Sequence, residues 1–493
     1  MAGPYDRTGG FLARLTHDPE AAAKRMSRVQ VEIVAERMSP AVEIAIAMTA
    51  TLLLRLDEAA PRLHLTVPTG RTTRVPRLGD GRLFDELVNE HSGFSSVDRF
   101  TNRKADDPSL RLVFDGDAAG VMVGSAGWAC ALGARLPDVA GNPLAAAFVG
   151  ILASAEALKV ALLDAGTTAR IREWRGVVSL WDYALAPTVG PALPGLVALD
   201  GTAFVGCGGV ASAVAWPLSL LSLAGAPLAV DDDKIDVTNP NRHLTASLRD
   251  VGIGKASLLA GLLRSAGAIP VVHEKKWHAL DEGRRGSVEL GIISVDDDAV
   301  RREFQLDMPR LILNGGTNDA GFYQVTTHDF LTEACLRCIA RGDLTSAGPE
   351  ESLARRLGIP LHILRPYLER DAPLPRNLLD GLKPDERRVL DGVRGRDVAR
   401  VACGYLRPRP SEPAVSAPML SAAPGALLAA EMVKHAMRAS EPISPARNVV
   451  ATSILTGPHG RWLIGRRKRA GCECQDPIYR SFYANRWRSG STR

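Results

Sequence analysis

The stretch Thr202-Ala-Phe-Val-Gly-Cys-Gly-Gly-Val-Ala-Ser212 decides the fold. Thr202 to Val205 has strand composition and runs straight into a glycine turn. Ala213 to Ala224 reads as helix, and Pro227 to Val230 as strand again. Strand, helix and strand within about thirty residues make the βαβ unit of a parallel sheet. Gly206, Gly208 and Gly209 let the backbone turn sharply and approach a phosphate. The helix N-terminus behind them offers N–H groups and a partial positive charge. Ala211 is an accepted substitute for the third glycine of the dinucleotide fingerprint. Alone, the turn suits any Rossmann-like protein, an NAD-dependent oxidoreductase included.

The next strand ends in Asp231-Asp-Asp233, where a carboxylate can accept hydrogen bonds from ribose hydroxyls. Asn239-Pro-Asn241-Arg242 follows, then Asp250-Val-Gly-Ile-Gly-Lys255. Gly254-Lys255-Ala256 is not a Walker loop, because Arg249 stands where the upstream glycine is required. From the glycine turn to Lys255 the spacing resembles the adenylyltransferases that activate ubiquitin-like proteins or serve the molybdopterin and thiamine pathways. Their signature has two acids before Asn-x-x-Arg and a Gly-x-x-Lys on the next helix. His243 replaces the family's glutamine after the arginine.

The resemblance implies ATP. Asp231 would hold the ribose, Asn239, Arg242 and Lys255 would contact the triphosphate, and Asp233 would support the cluster. Fixed cations aimed at those oxygens stabilise charge moving onto pyrophosphate. The stretch Ile292-Ile-Ser-Val-Asp296-Asp-Asp-Ala-Val-Arg301 resembles the family's strand tip, whose aspartate, here Asp296, would bind magnesium. Asp297 and Asp298 read as helix-starting residues. Family members also use an arginine near the N-terminus or from a partner. Arg7, in Tyr5-Asp-Arg7, Arg99 and Arg103 are candidates for it, against the reading of plain surface arginines.

Cys335-Leu-Arg-Cys338 pairs with Cys472-Glu-Cys474 as a four-thiolate structural zinc site. A redox Cys-x-x-Cys would leave the second pair without purpose. Cys403 has two readings. It follows the segment where a thioester cysteine would be found, with Arg400, Arg407 and Arg409 nearby to favour the thiolate. Equally, Val401-Ala-Cys403 reads as strand core, echoed by Ala129-Cys130.

A chain of 493 residues holds two or three domains, and a net charge of +5 at this length does not argue for nucleic acid. The apolar stretches are broken by Glu156, Lys159 and Glu431, so they read as buried helices, not membrane spans. Seven cysteines and a polar start, Met1 to Gly10, point to a reducing, cytoplasmic setting. Gly150-Ile-Leu-Ala-Ser-Ala-Glu-Ala-Leu-Lys159 matches Gly425-Ala-Leu-Leu-Ala-Ala-Glu-Met-Val-Lys434 at its glycine, glutamate and lysine. That match suggests two related halves, the first without a glycine turn.

The expected fold is α/β: a Rossmann-like, mostly parallel adenylation domain with helical insertion and zinc knuckle, preceded by a degenerate Rossmann-like half. The expected boundaries are a helical region over 1–57, the degenerate domain over 58–195, with a proline-rich linker at 186–195, and the ATP-binding domain over 196–341. A helical insertion over 342–400 and a zinc-bearing completion over 401–493 follow. Partners would be a small ubiquitin-like or sulfur-carrier protein, or alternatively a ribosomally made precursor peptide, and a second copy of the chain in a homodimer. An NAD-type oxidoreductase and a relict scaffold are the readings of other classes.

Overall fold

The computed structural model describes residues 18–56, 59–68, 82–91, 100–163, 170–295, 298–318, 321–339, 359–380, 390–395, 417–437 and 447–488, with single or paired positions between them. They fall into two compact units, Met1–Ala340 with Val415–Arg493, and Arg341–Ala414.

The larger unit is built twice. Its first half runs α1 (Pro19–Met26), β1 (Gln30–Ala35), α2 (Pro40–Leu54), β2 (Arg62–Thr66), α3 (Leu83–His91), β3 (Phe100–Thr101), β4 (Leu110–Asp115), β5 (Val121–Ala126), β6 (Ala129–Leu132), α4 (Pro143–Leu163) and β7 (Gly176–Ser179). The second runs β8 (Val197–Ala198), β9 (Thr202–Val205), α5 (Gly209–Leu218), β10 (Leu223–Ala224), β11 (Leu228–Val230), α6 (Lys255–Ser265), β12 (Val271–His273), β13 (Leu290–Ile293), α7 (Asp298–Leu306), β14 (Leu311–Thr317) and β15 (Phe322–His328). It resumes with α8 (Pro418–Ala436), β16 (Val449–Ser453), β17 (Leu463–Ile464) and α9 (Pro477–Arg488).

The sheets have orders β3-β2-β1-β4-β5-β6-β7 and β12-β11-β9-β13-β14-β15-β16-β17. Strand for strand the first seven correspond. In each sheet the first five are parallel and the last two antiparallel. Helices match too: α2 follows β1 and α5 follows β9, the third strand in each sheet order, and α4 and α8 join the sixth strand to the seventh. The α/β fold with mostly parallel, Rossmann-like sheets is therefore present in both halves.

Helix packing repeats as well. α2 lies on α4, α5 on α8, and α4 on α8. The shared glycine explains the close approach. A Cβ on Gly150 would lie 2.6 Å from Ala45 O, and one on Gly425 would lie 2.7 Å from Val210 O. α4 is long and apolar enough to cross a membrane, yet its hydropathic window is 89% buried inside the protein, so here it is a core helix.

The shared glutamate and lysine form a buried pair in each half. Lys159 Nζ is 2.5 Å from Glu156 Oε1, and Lys434 pairs with Glu431 on the same spacing. Glu156 also accepts from Trp174 N and Arg175 Nη1, the latter at 2.8 Å. Lys434 donates to the carbonyls of Leu180 and Trp181, and Tyr183 Oη donates to Glu431. Burial lowers the pKa of both lysines, and each glutamate partner opposes it.

Three sequence expectations change. β1 lies inside the region 1–57 read as helical, and it is the strand on which the first sheet is laid. The sequence over 110–136 reads as two strand-like pieces around Gly116 and Gly124, whereas three strands form over 110–132. The stretch 186–195 has no regular structure but is pinned: Trp128 donates from N to Val189 O and from Nε1 to Pro191 O, both at 2.8 Å. The smaller unit packs Leu353, Leu357, Leu364, Leu374, Leu379 and Leu390 in its own core, with a helix at Leu361–Glu369.

Lys434→Met strands the buried Glu431 charge and is expected to cost about 3–5 kcal/mol. Chemical denaturation reads the loss. Adding Glu431→Gln should recover much of it, whereas a double variant as unstable as the single one would show that charge is not the issue.

Candidate functional site

Gly206 ends β9 with φ +81°, and a Cβ there would lie 2.6 Å from Val295 Cγ1. Both facts demand glycine. Gly208 caps α5 without a side-chain hydrogen bond and has open space where a Cβ would stand. The first N–H groups of α5 therefore follow an open turn at the carboxyl end of β9.

Asp231 braces this turn. Its Oδ2 accepts from Cys207 N at 2.6 Å and its Oδ1 from Asp233 N at 2.8 Å. Burial raises its pKa, opposed by those N–H groups and by Lys255. One further lone pair on each oxygen remains for another donor. Lys255, first residue of α6, holds Asp233 Oδ2 at 2.6 Å, and its N–H bonds Asp233 O at 2.9 Å. The carboxylates of Asp231, Asp232 and Asp233 lie within 4.8 Å of one another.

Asn239 to His243 forms a tight turn, with Arg242 N and His243 N both bonded to Asn239 O. It lies against the glycine turn: a Cβ on Gly209 would be 3.0 Å from Arg242 O and 3.3 Å from Arg242 Cγ. Arg242 Nη1 is buried and takes no hydrogen bond in the protein. A buried guanidinium nitrogen without an acceptor fits a site that receives an anion. Contacts thus link Gly206, Gly208, Gly209, Asp231, Asp233, Asn239, Arg242 and Lys255 around the glycine turn. Asp296, Cys403, Arg7 and Arg99 lie outside the described residues. Arg103 is exposed just after β3, an edge strand of the first sheet.

His243, where the resembling family has glutamine, has a defined job. Its Nε2 donates to Cys207 O at 2.9 Å, and Nδ1 accepts from Thr245 Oγ1 at 3.1 Å. This assigns the neutral Nε2–H tautomer, since a carbonyl only accepts. Burial pulls its pKa down to about 4. Cys207 is fully buried, and burial raises its pKa well above normal, which makes it a spacer in the turn.

The first half has no glycine turn at the corresponding place. Glu36-Arg37-Met38-Ser39 replaces the glycine turn. Arg37 grips Asp115, at the tip of β4, through two 3.0 Å hydrogen bonds.

The four zinc-type cysteines converge although up to 139 positions apart. Sγ separations are 3.8 Å for Cys335–Cys338, and 3.5 Å for Cys335–Cys472 and Cys338–Cys474. Four sulfurs 2.3 Å from a tetrahedral zinc stand roughly 3.8 Å apart, so the set fits that ion. Arg469 N donates to Cys338 Sγ at 3.3 Å. Phe330 and Tyr483 stack beside the cluster, 5.3 Å between centroids, and anchor α9.

No family model matches the chain. A Sinorhizobium fredii protein described as uncharacterized protein y4jF is 28% identical over 316 residues, 59% of each chain. The present chain thus spans about three fifths of that relative's length. Among solved structures, E. coli MccB with ATP overlaps at 16% identity and a TM-score of 0.32, over 53% of this chain and 64% of that one. The microcin C7 biosynthetic enzyme MccB, in complex with N-formylated MccA, overlaps at 14% identity and a TM-score of 0.34, over 55% and 65%. Likeness of this degree carries no functional conclusion.

Two predictions test the geometry. Elemental analysis should find one zinc per chain, and Cys472→Ser should lose it and lower the melting temperature. A full-strength metal signal in that variant would count against the four-sulfur site. For His243, the depressed pKa means stability is fully present above about 6.5 and falls as pH drops toward 4, by roughly 3 kcal/mol. Glu333, raised to about 7 by burial, works the other way over part of this range. The difference between the wild type and His243→Gln is therefore the quantity to measure. The variant should gain relative stability as pH falls from 6.5 to 4, and a flat difference would refute the assignment.

Proposed function

We propose that the chain binds ATP at the glycine turn that follows β9 and adenylates a carboxylate at the end of an extended peptide or protein segment. The observation that carries this reading is Arg242. Its Nη1 is buried with no acceptor in the protein, while its carbonyl oxygen and Cγ stand 3.0 and 3.3 Å from where a Cβ on Gly209, the first residue of α5, would lie. A nicotinamide oxidoreductase has the turn and Asp231 in common but assigns no task to Arg242 or Lys255.

In the proposed reaction a carboxylate oxygen attacks the α-phosphorus, forming an acyl–phosphate bond. The bond from that phosphorus to the bridging oxygen breaks, and pyrophosphate leaves with the electron pair. Arg242 and Lys255 meet the charge on the phosphate oxygens, and Lys255 exchanges Asp233 for the ligand. Asp231 keeps the turn shaped by holding Cys207 N and Asp233 N. Magnesium through Asp296 remains an assignment from the sequence resemblance. Zinc at the four cysteines has a full thiolate set and serves the fold. A ribosomally made peptide and the tail of a ubiquitin-like or sulfur-carrier protein present the same reacting group, so the substrate is named by that chemistry. In place of the expected homodimer, we assign the partner's role to the first half of the same chain.

ATP–pyrophosphate exchange tests this. Short peptides from the same genome are supplied first, then small ubiquitin-like proteins. Exchange should require one such carboxylate, vanish when that carboxylate is amidated, and fall at least about a hundredfold in Arg242→Ala. Nicotinamide binding without ATP binding would sink the proposal.

A further inference from the structure

Arg55 belongs to the half that has no glycine turn, yet its side chain serves the candidate site of the other half. It caps the carboxyl end of α2 and is 1% exposed. Its Nη1 donates to the carbonyls of Pro240, His243 and Ala246, the last two at 3.1 and 3.0 Å, and its Nη2 to Leu244 O at 3.4 Å. The loop 239–246 is therefore wrapped round one guanidinium, with four carbonyl dipoles turned toward its charge. Asn241 returns the grip, donating from Nδ2 to Arg55 O at 2.7 Å and to Thr8 Oγ1 at 3.3 Å. The opposite side of the loop is tied to the glycine turn through His243 Nε2 to Cys207 O and Leu244 N to Ser212 Oγ.

This loop carries Asn239 and Arg242. Carbonyls that converge on one point repel each other, and each is costly when buried without a donor. A cation at the focus removes that cost and fixes the turn. We propose that Arg55 is a positioning residue for the nucleotide site: it holds the 239–246 loop in the shape that presents Arg242 to phosphate. The half without a glycine turn thereby becomes a required, in-chain part of the site. This rests on the ATP reading above. Arg55 touches no ligand in this role and acts through the loop's backbone.

The test uses the full chain and ATP as the probe. Arg55→Lys keeps the charge but not the fork of donors. It should weaken ATP binding by about tenfold or more, as loss of hydrogen bonds to a charged group implies. The KM for the carboxylate substrate should stay unchanged. A double-mutant cycle supplies the readout that a general loss of stability would not move. With Arg242→Ala already in place, Arg55→Lys should add little further loss of ATP affinity, because its effect runs through Arg242. Unchanged ATP affinity in a folded Arg55→Lys overturns the proposal, and so does full additivity with Arg242→Ala. If Arg55→Lys does not fold, Asn241→Ala decides by the same two measurements, since it releases the loop from the same anchor. A wild-type chain that fails to bind ATP overturns the ATP reading and this inference together, which distinguishes the two failures.

Discussion

Two ion pairs with almost no exposed surface, Glu156–Lys159 on α4 and Glu431–Lys434 on α8, hold the arrangement on which the site depends. Buried pairs of this kind are poor sources of net stability, because desolvation offsets much of their attraction. Their surroundings suggest a different use. Lys434, from the second half, donates to the 180–181 carbonyls of the first. Trp174 of the first half donates to Pro458 O of the second, and Trp462 of the second to Tyr183 O of the first. Each half reads the other's backbone. A charge that must find specific carbonyls permits few alternative packings, so these bonds set how α4 and α8 meet.

That fixed meeting is what lets one half serve the other. With α2 packed on α4, its last turn delivers Arg55 to the 239–246 loop. The two halves keep one topology and have parted in chemistry at the ends of β1 and β9. One retains a glycine turn open to a ligand. The other carries Arg37, which closes on Asp115 with two hydrogen bonds. Asp115 ends β4, and β4 corresponds to β13. The carboxylate that pairs with the altered turn thus comes from the strand that corresponds to β13. A duplicated fold that needs one site retains the scaffold twice and the chemistry once.

How far the sequence could be read follows from where the information sits. The glycine turn, Asp231, Asn239, Arg242 and Lys255 lie within 50 residues, and local spacing alone brought them together. The cysteine pairs were legible for a different reason, since thiolate pairs at short spacing have few other uses. The α4/α8 match was visible because its glycine, glutamate and lysine are all demanded by packing. What escaped was non-local. β1 is a six-residue run next to helical sequence, and nothing within it shows that it carries a sheet. Arg55 lies 185 positions from Pro240, so no window of sequence joins them. Ala129-Cys130 sits in β6, whose counterpart is β15, so its echo at Ala402-Cys403 rests on sequence alone.

His243 shows why a departure from a family pattern is best read through geometry. A glutamine side chain and the Nε2–H tautomer of histidine each offer an N–H donor at the end of a short reach. What Cys207 O needs is a donor, and His243 supplies it at 2.9 Å while Thr245 satisfies the other ring nitrogen. The imidazole adds a constraint that an amide lacks, because it must stay neutral to remain buried. The same loop is then gripped by a cation that keeps its charge at every physiological pH, Arg55, and by a ring that must never acquire one. Acid therefore attacks the His243 side of the loop first. As protonation is forced on the ring it gains a second donor hydrogen where Thr245 now donates, close to the Arg55 charge. The contact that ties the loop to the glycine turn is therefore sensitive to pH.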